Sequence, residues 1–123
     1  MASELRVDTL KDSSGNNSVG MSYVAGGSAK MTCRFNGSGT VTIASGSSLN
    51  TSSIDDDGTG EYSINHTNNF AQADNTVVVG SSGYHENFGT VSSASDTHID
   101  TQNSSHAQSD VGQAATAVFG DLA

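Results

Sequence analysis

Proline and tryptophan are absent from this 123-residue chain, cysteine occurs once, and lysine and arginine together occur four times. Each shortage excludes something. With Cys33 as the single thiol, no intrachain disulfide can form, and no Cys/His spacing of the zinc type stands in for one. The four cations, Arg6, Lys11, Lys30 and Arg34, are scattered in a chain of net charge -9. Phosphate backbones are held by clustered Lys and Arg, so nucleic acid is not an expected partner. No apolar run approaches the roughly 20 residues of a membrane span, and residues 1–8 hold no apolar stretch of the secretory type. Neither a membrane nor export is expected. A lone thiol suits the cytosol in which such a chain is made.

Large apolar residues are also few. Leu, Ile, Val and Phe make up 22 of the 123 residues. With this net charge, that is close to the composition at which chains stay disordered. Small scaffolds with thin cores draw on disulfides, metals or partners. The first is excluded and no motif supplies the second, so the expectation is self-association as a homo-oligomer.

What the chain does have is Ser, Thr, Gly and Asn, arranged with a period of two. Glu4 to Leu10 alternates, with Leu5 and Val7 against Arg6 and Asp8, as a strand does. Asp12 to Ser18 reads as a turn or flexible link. Met31, Cys33 and Phe35 alternate with Thr32 and Arg34. The turn signal Asn36-Gly37-Ser38-Gly39 follows, then Thr40 to Ile43 alternates again. Residues 30–44 therefore read as a hairpin. A second hairpin spans residues 52–67, with its turn at Asp56 to Gly60 and with Tyr62, Ile64 and His66 on one face of the return strand. Thr76 to Gly80 is a continuous apolar run of the buried-strand type, and Val91 to Thr101 is weakly β. Ala114 to Phe119 has helical alanines, but Gly112 and Gly120 bracket it at strand length, which favours a strand. The predicted fold is all-β, a small antiparallel β-sandwich or barrel-like domain with an N-terminal strand arm. Residues 1–20 form the arm and linker, and residues 21–123 the β domain.

Residue types that carry chemistry do not converge in the sequence. Asp55, Asp56 and Asp57 before Gly58 invite a calcium loop, but a loop starting at Ser53 needs Glu at its twelfth position and has Ile64. An acidic hairpin turn is the better reading. His66 falls on the apparent inner face, as a core histidine. His85, beside Glu86, and His98 and His106 are dispersed, with no pair at ligand spacing. Cys33, between Met31 and Phe35, reads as a buried, inert thiol. No catalytic residue, cofactor or metal is expected.

Two stretches at a particular spacing bear a resemblance. They are Phe35-Asn36-Gly37-Ser38-Gly39-Thr40-Val41-Thr42-Ile43 and Ser52-Ser53-Ile54-Asp55-Asp56-Asp57-Gly58-Thr59-Gly60-Glu61-Tyr62-Ser63-Ile64-Asn65. The pair resembles a β-module of tail-fibre-like virion structural proteins of marine bacteriophages (the cyanophage and pelagiphage type). That module reads like A-W-V-N-F-N-G-T-G-T-V-A-I and then S-S-I-T-D-N-G-T-G-D-Y-T-V-N-F. Ser3 to Leu10 is similar to the short N-terminal segment of such proteins, and Ala117 to Asp121 to their endings. The resemblance covers both ends and the middle third of the chain. It departs where Thr32 or Cys33 replaces the module's Trp, and where Phe70 to Thr76 replaces M-P-D-A-N-Y.

The resemblance implies a virion part, assembled in the host cytoplasm. It would be a short tail fibre, spike or appendage subunit, a homotrimer because phage fibres and many decoration proteins are threefold, attached to other virion proteins of tail or capsid. Capsid decoration, as a cement protein, is the alternative. A carbohydrate-binding module is more distant, since such modules use exposed Trp or Tyr and only Tyr23, Tyr62 and Tyr84 are present. A host-surface glycan stays open as a partner. The apolar face of Leu5, Val7 and Leu10 marks residues 3–10 as the anchor, because a lone strand must join some sheet; the alternative is that it completes the chain's own sheet or that of an oligomer mate.

Overall fold

In the computed structural model, which describes residues 3–83 and 86–123, two four-stranded antiparallel sheets pack as a sandwich. The first sheet is ordered β4 (Thr42–Leu49), β3 (Ala29–Asn36), β10 (Ala114–Phe119), β7 (Thr76–Ser81). The second is ordered β5 (Thr51–Gly58), β6 (Glu61–His66), β9 (Asp96–Gln102), β8 (Glu86–Ser93). Ahead of them stand β1 (Thr9–Leu10), β2 (Val19–Gly20) and a seven-residue helix α1 (Met21–Gly27).

Alternation writes the core directly. Met31, Cys33 and Phe35 of β3 are buried, as are Tyr62, Ile64 and His66 of β6. Thr97, Ile99 and Thr101 of β9 and Ala114, Thr116 and Val118 of β10 complete the facing layers. The rings of Phe35 and Tyr62 meet across the two sheets, 4.9 Å apart and tilted by 59°. The Tyr62 hydroxyl donates to the Gly37 carbonyl at 2.9 Å, fully inside. His66 is held from both sides. Its Nδ1 donates to the Ala94 carbonyl at 3.1 Å and its Nε2 lies 2.9 Å from the Thr97 hydroxyl. The ring meets Phe70 edge-on. A core histidine is therefore what His66 is. Cys33 is buried too, and burial pushes its thiol up to about 11.

The sheets are joined on both sides. Between β4 and β5 the chain changes sheets at one residue, Asn50, whose φ is 54°. Its side-chain oxygen accepts from the Asn68 amide and its nitrogen donates to the Asn68 carbonyl at 2.9 Å. Asparagine tolerates this left-handed conformation better than most residues. On the other side β7 lies against β8 at Gly89, where a Cβ would stand 2.5 Å from Val79 and 2.6 Å from Val77. Only glycine lets the two strands come this close.

Several expectations need correction. The strand over Glu4 to Leu10 shrinks to Thr9–Leu10, paired with Val19–Gly20, because the earlier residues meet no sheet edge. The helix at Met21–Gly27 was not anticipated; it has neither a side-chain cap nor a buried residue. Thr76 to Gly80 is not a buried strand but an edge strand, with Val77 and Val79 turned inward and Val78 56% exposed. Val91 to Thr101 divides into the end of β8 and most of β9, turning at Ala94 and Ser95. The second hairpin turns at Thr59-Gly60, so Asp56 and Asp57 belong to β5. Gly60, at φ 71°, fits where a Cβ would stand 2.5 Å from the Thr101 carbonyl. Ala114 to Phe119 is indeed a strand, and a central one.

Candidate assembly surfaces

Three surfaces carry the side chains that the core leaves out. The first is the segment ahead of β3. Leu5 is 80% exposed and Tyr23 77%; Leu10 and Val19 are exposed as well, and Val7 is half-buried. The segment is ordered by its own polar bonds. The Met21 amide donates to the Asp8 carbonyl at 2.9 Å. The Asp12 carboxylate accepts from the amides of Ser14 and Asn16 and from the Asn17 side chain. The Asn16 bond contributes most to holding the Asp12 carboxyl below its ordinary range. Residues 12–18 are thus a closed turn, which decides between the two readings of that stretch. At the other end the Lys30 ammonium donates to the carbonyls of Ala25 and Ser28. A cation belongs at the C-terminal end of a helix, where carbonyls lack partners.

The second surface is the outer face of the β5-β6-β9-β8 sheet. These four strands carry seven carboxylates and no lysine or arginine. Alternation turns Glu61 and Ser63 outward from β6, and His98 and Asp100 outward from β9, in adjacent register. His98 lies in the middle: Nε2 is 3.4 Å from Asp100 and Nδ1 is 3.7 Å from Asp57. The Gln108 amide donates to both Glu61, at 3.0 Å, and Asp100, at 3.2 Å. At the sheet's edge His106 pairs with Glu86 at 2.7 Å. Burial alone would raise the Asp96 carboxyl; the hydroxyls of Ser92, Ser93 and Ser95 outweigh it and hold Asp96 below its ordinary range.

Sequence reasoning missed this constellation, because it scored the histidines by their spacing along the chain. Its signal was the outward positions of two strands that pair in space. Glu61, His98 and Asp100 place their ligand atoms within 4.8 Å of one another, which is a fit for one divalent cation. The same face also lines up Ser63, His98 and Asp100. There the Ser63 hydroxyl donates to Asp57 at 2.5 Å and stands 3.5 Å from His98. A nucleophile–base pair works at about 2.6–3.2 Å, so the string reads as surface polar bonding. The Asp55 carboxylate accepts from the Asn65 side chain at 2.7 Å.

The third surface is the outer face of the β4-β3-β10-β7 sheet, where the four strands carry Lys30 and Arg34 and no carboxylate. Arg34 is exposed, and among the described residues its guanidinium makes no hydrogen bond or ion pair. Two shallow depressions, of about 350 and 320 Å³, flank it. Beside it run Ala115 and Gly80, and the next row across the sheet is Leu49, Thr32, Ala117 and Val78. Leu49 and Val78 are both more than half exposed.

Tyr84 and His85 lie outside the described residues. Among the described residues, no helix is long and apolar enough to cross a membrane. Comparison with known proteins adds nothing to the geometry: no family model, curated protein or solved structure matches this chain.

Proposed function

We propose that this chain is a non-catalytic structural subunit of a bacteriophage virion, a short tail fibre, spike or appendage part that self-assembles as a trimer and docks through its N-terminal segment. The observation that carries the reading is that segment. It presents Leu5, Leu10, Val19 and Tyr23 to solvent, and its helix buries no residue. Exposed apolar groups on a marginally apolar chain are most readily explained by a surface that covers them. A short strand with open edges docks by adding to another protein's sheet, with main-chain bonds supplying affinity. The likeness of residues 35–43 and 52–65 to the phage module supplies the setting.

Capsid decoration is the second reading. It is favoured by the squat sandwich, since no shaft-like repeat occurs among the described residues. A carbohydrate-binding module has thinner support: Tyr62 is buried, and Tyr23 stands on the arm helix rather than on a sheet face.

Deleting residues 2–12 tests the anchor. The truncated protein is expected to fold and to keep its oligomeric state, yet to stay off particles when it is supplied during assembly. A truncated chain that unfolds or falls to monomers would place the segment in the core and end the anchoring claim.

A further inference from the structure

We infer that copies of this chain associate head to tail, with the outer face of the β4-β3-β10-β7 sheet of one seated on the acidic outer face of the β5-β6-β9-β8 sheet of the next. This deepens the self-assembly reading above and rests on it. The argument begins with the segregation of charge. Seven carboxylates lie in one sheet and none in the other, while both cations of the sandwich lie in the sheet without carboxylates. A chain of net charge -9 has ample acid to spread over both faces, and it does not.

Within the carboxylate-free face the two cations differ. Lys30 is already committed to the carbonyls of α1. The Arg34 guanidinium is free, exposed and flanked by two depressions, one lined by Gly80, Ala114 and Ala115 and the other by Ala44 and Gly112. A guanidinium of this kind offers a planar fork for carboxylates. Leu49 and Val78 supply apolar area on the same face. On the receiving face Asp55, Asp57, Glu61 and Asp100 supply the carboxylates, and Phe88, 56% exposed and paired in register with Asp100, supplies apolar area. Each face holds what the other lacks, which is what a partner of the same sequence requires.

The two faces lie on opposite sides of the sandwich, so a copy bound through one still offers the other. Contacts between opposite faces run along one line and so extend as an open stack rather than closing a three-membered ring; what this contact keeps of the self-assembly reading is the association of like copies, not closure at three. Four strands about 4.8 Å apart, at about 3.3 Å per residue, give a face of roughly 400 Å² in plan. That falls in the weaker class of protein contacts, so association is expected at high micromolar concentration and is expected to weaken as salt screens the charges.

Two charge reversals test this, each checked for folding by circular dichroism and thermal melting. Arg34→Glu opposes acid to acid, and the double variant Asp57→Lys, Asp100→Lys opposes cation to cation. By sedimentation, each alone is expected to remain monomeric where the wild type self-associates. An equimolar mixture is expected to recover a complex of at least two chains, because the intact arginine face of one variant meets the intact acidic face of the other. Folded Arg34→Glu that associates like the wild type, or a mixture that stays monomeric, would overturn the face-to-face contact while leaving self-assembly by another surface standing. A wild type that stays monomeric at high concentration would remove both.

Discussion

Replacing Tyr62 by Phe removes one oxygen from the centre of the sandwich and leaves everything else in place. The ring still fills its volume, and its contact with Phe35 at 4.9 Å is kept. What disappears is the bond from the hydroxyl to the Gly37 carbonyl, at 2.9 Å and fully buried. Phenylalanine cannot donate, and Gly37 is itself a buried residue. The loss combines a hydrogen bond worth about 1 kcal/mol with the partial desolvation penalty of the orphaned carbonyl, so the expected destabilisation is about 1–3 kcal/mol. At roughly 4 °C per kcal/mol for a chain of this length, the melting midpoint falls by roughly 4–12 °C. Urea unfolding followed by circular dichroism gives the same quantity, with an unchanged slope because the exposed surface is the same. The alkaline limb supplies an independent check. Burial raises the Tyr62 phenol above its ordinary value of 10.0, so the fold holds this proton more tightly than the unfolded chain does. The stability that this provides is complete below pH 10 and is lost as pH rises through the folded value. The Phe variant lacks that loss. A variant as stable as the wild type in urea would mean that the Gly37 carbonyl finds water, and that the Tyr62 hydroxyl does not pin the β3–β4 connection to the second sheet.

Two further outcomes follow from the same core. The Thr116 hydroxyl is buried in the central strand β10 with no hydrogen-bond partner, so Thr116→Val, nearly equal in volume, is expected to stabilise the fold by about 1 kcal/mol in urea unfolding; destabilisation would show that the hydroxyl is satisfied in solution. Cys33, raised from 9.0 to about 11, is expected to resist thiol reagents until the protein unfolds and to draw stability down as pH rises from about 9 towards 11. Rapid labelling of the native protein at neutral pH would contradict its burial.

Much of the sandwich was legible in the sequence because antiparallel strands with one wet face announce themselves residue by residue. Met31, Cys33 and Phe35, and then Tyr62, Ile64 and His66, named the inward positions of two strands that prove central to the core. The misreadings share one cause, which is that edges and partners are properties of topology. Thr76 to Gly80 carries three valines in a row, as a doubly covered strand would, yet it lies at a sheet edge with Val78 in solvent. Asp56 and Asp57 looked like turn residues because acidic residues next to glycine usually are; register with β6 extends the strand through them. The His98 cluster needed the pairing of β6 with β9, which no spacing along the chain encodes. The segment before β3 was legible as exposed apolar residues, while its helix was not, having neither a cap nor an apolar stripe to mark it.

The two places where the sheets meet have a consequence for what this protein avoids. A chain rich in Thr and Val, with no proline to interrupt its strands, is made of material that aggregates by adding strand to strand along any open edge. Here the outermost strands are turned towards each other. β7 is drawn against β8 over Gly89, and β4 runs into β5 through the bend at Asn50. The edge strands of one sheet are thereby held close to those of the other, which leaves an incoming strand less room than an isolated sheet would. On the faces of the sandwich, contact with another chain runs through side chains, where charge and shape can choose between partners as bare backbone pairing does not.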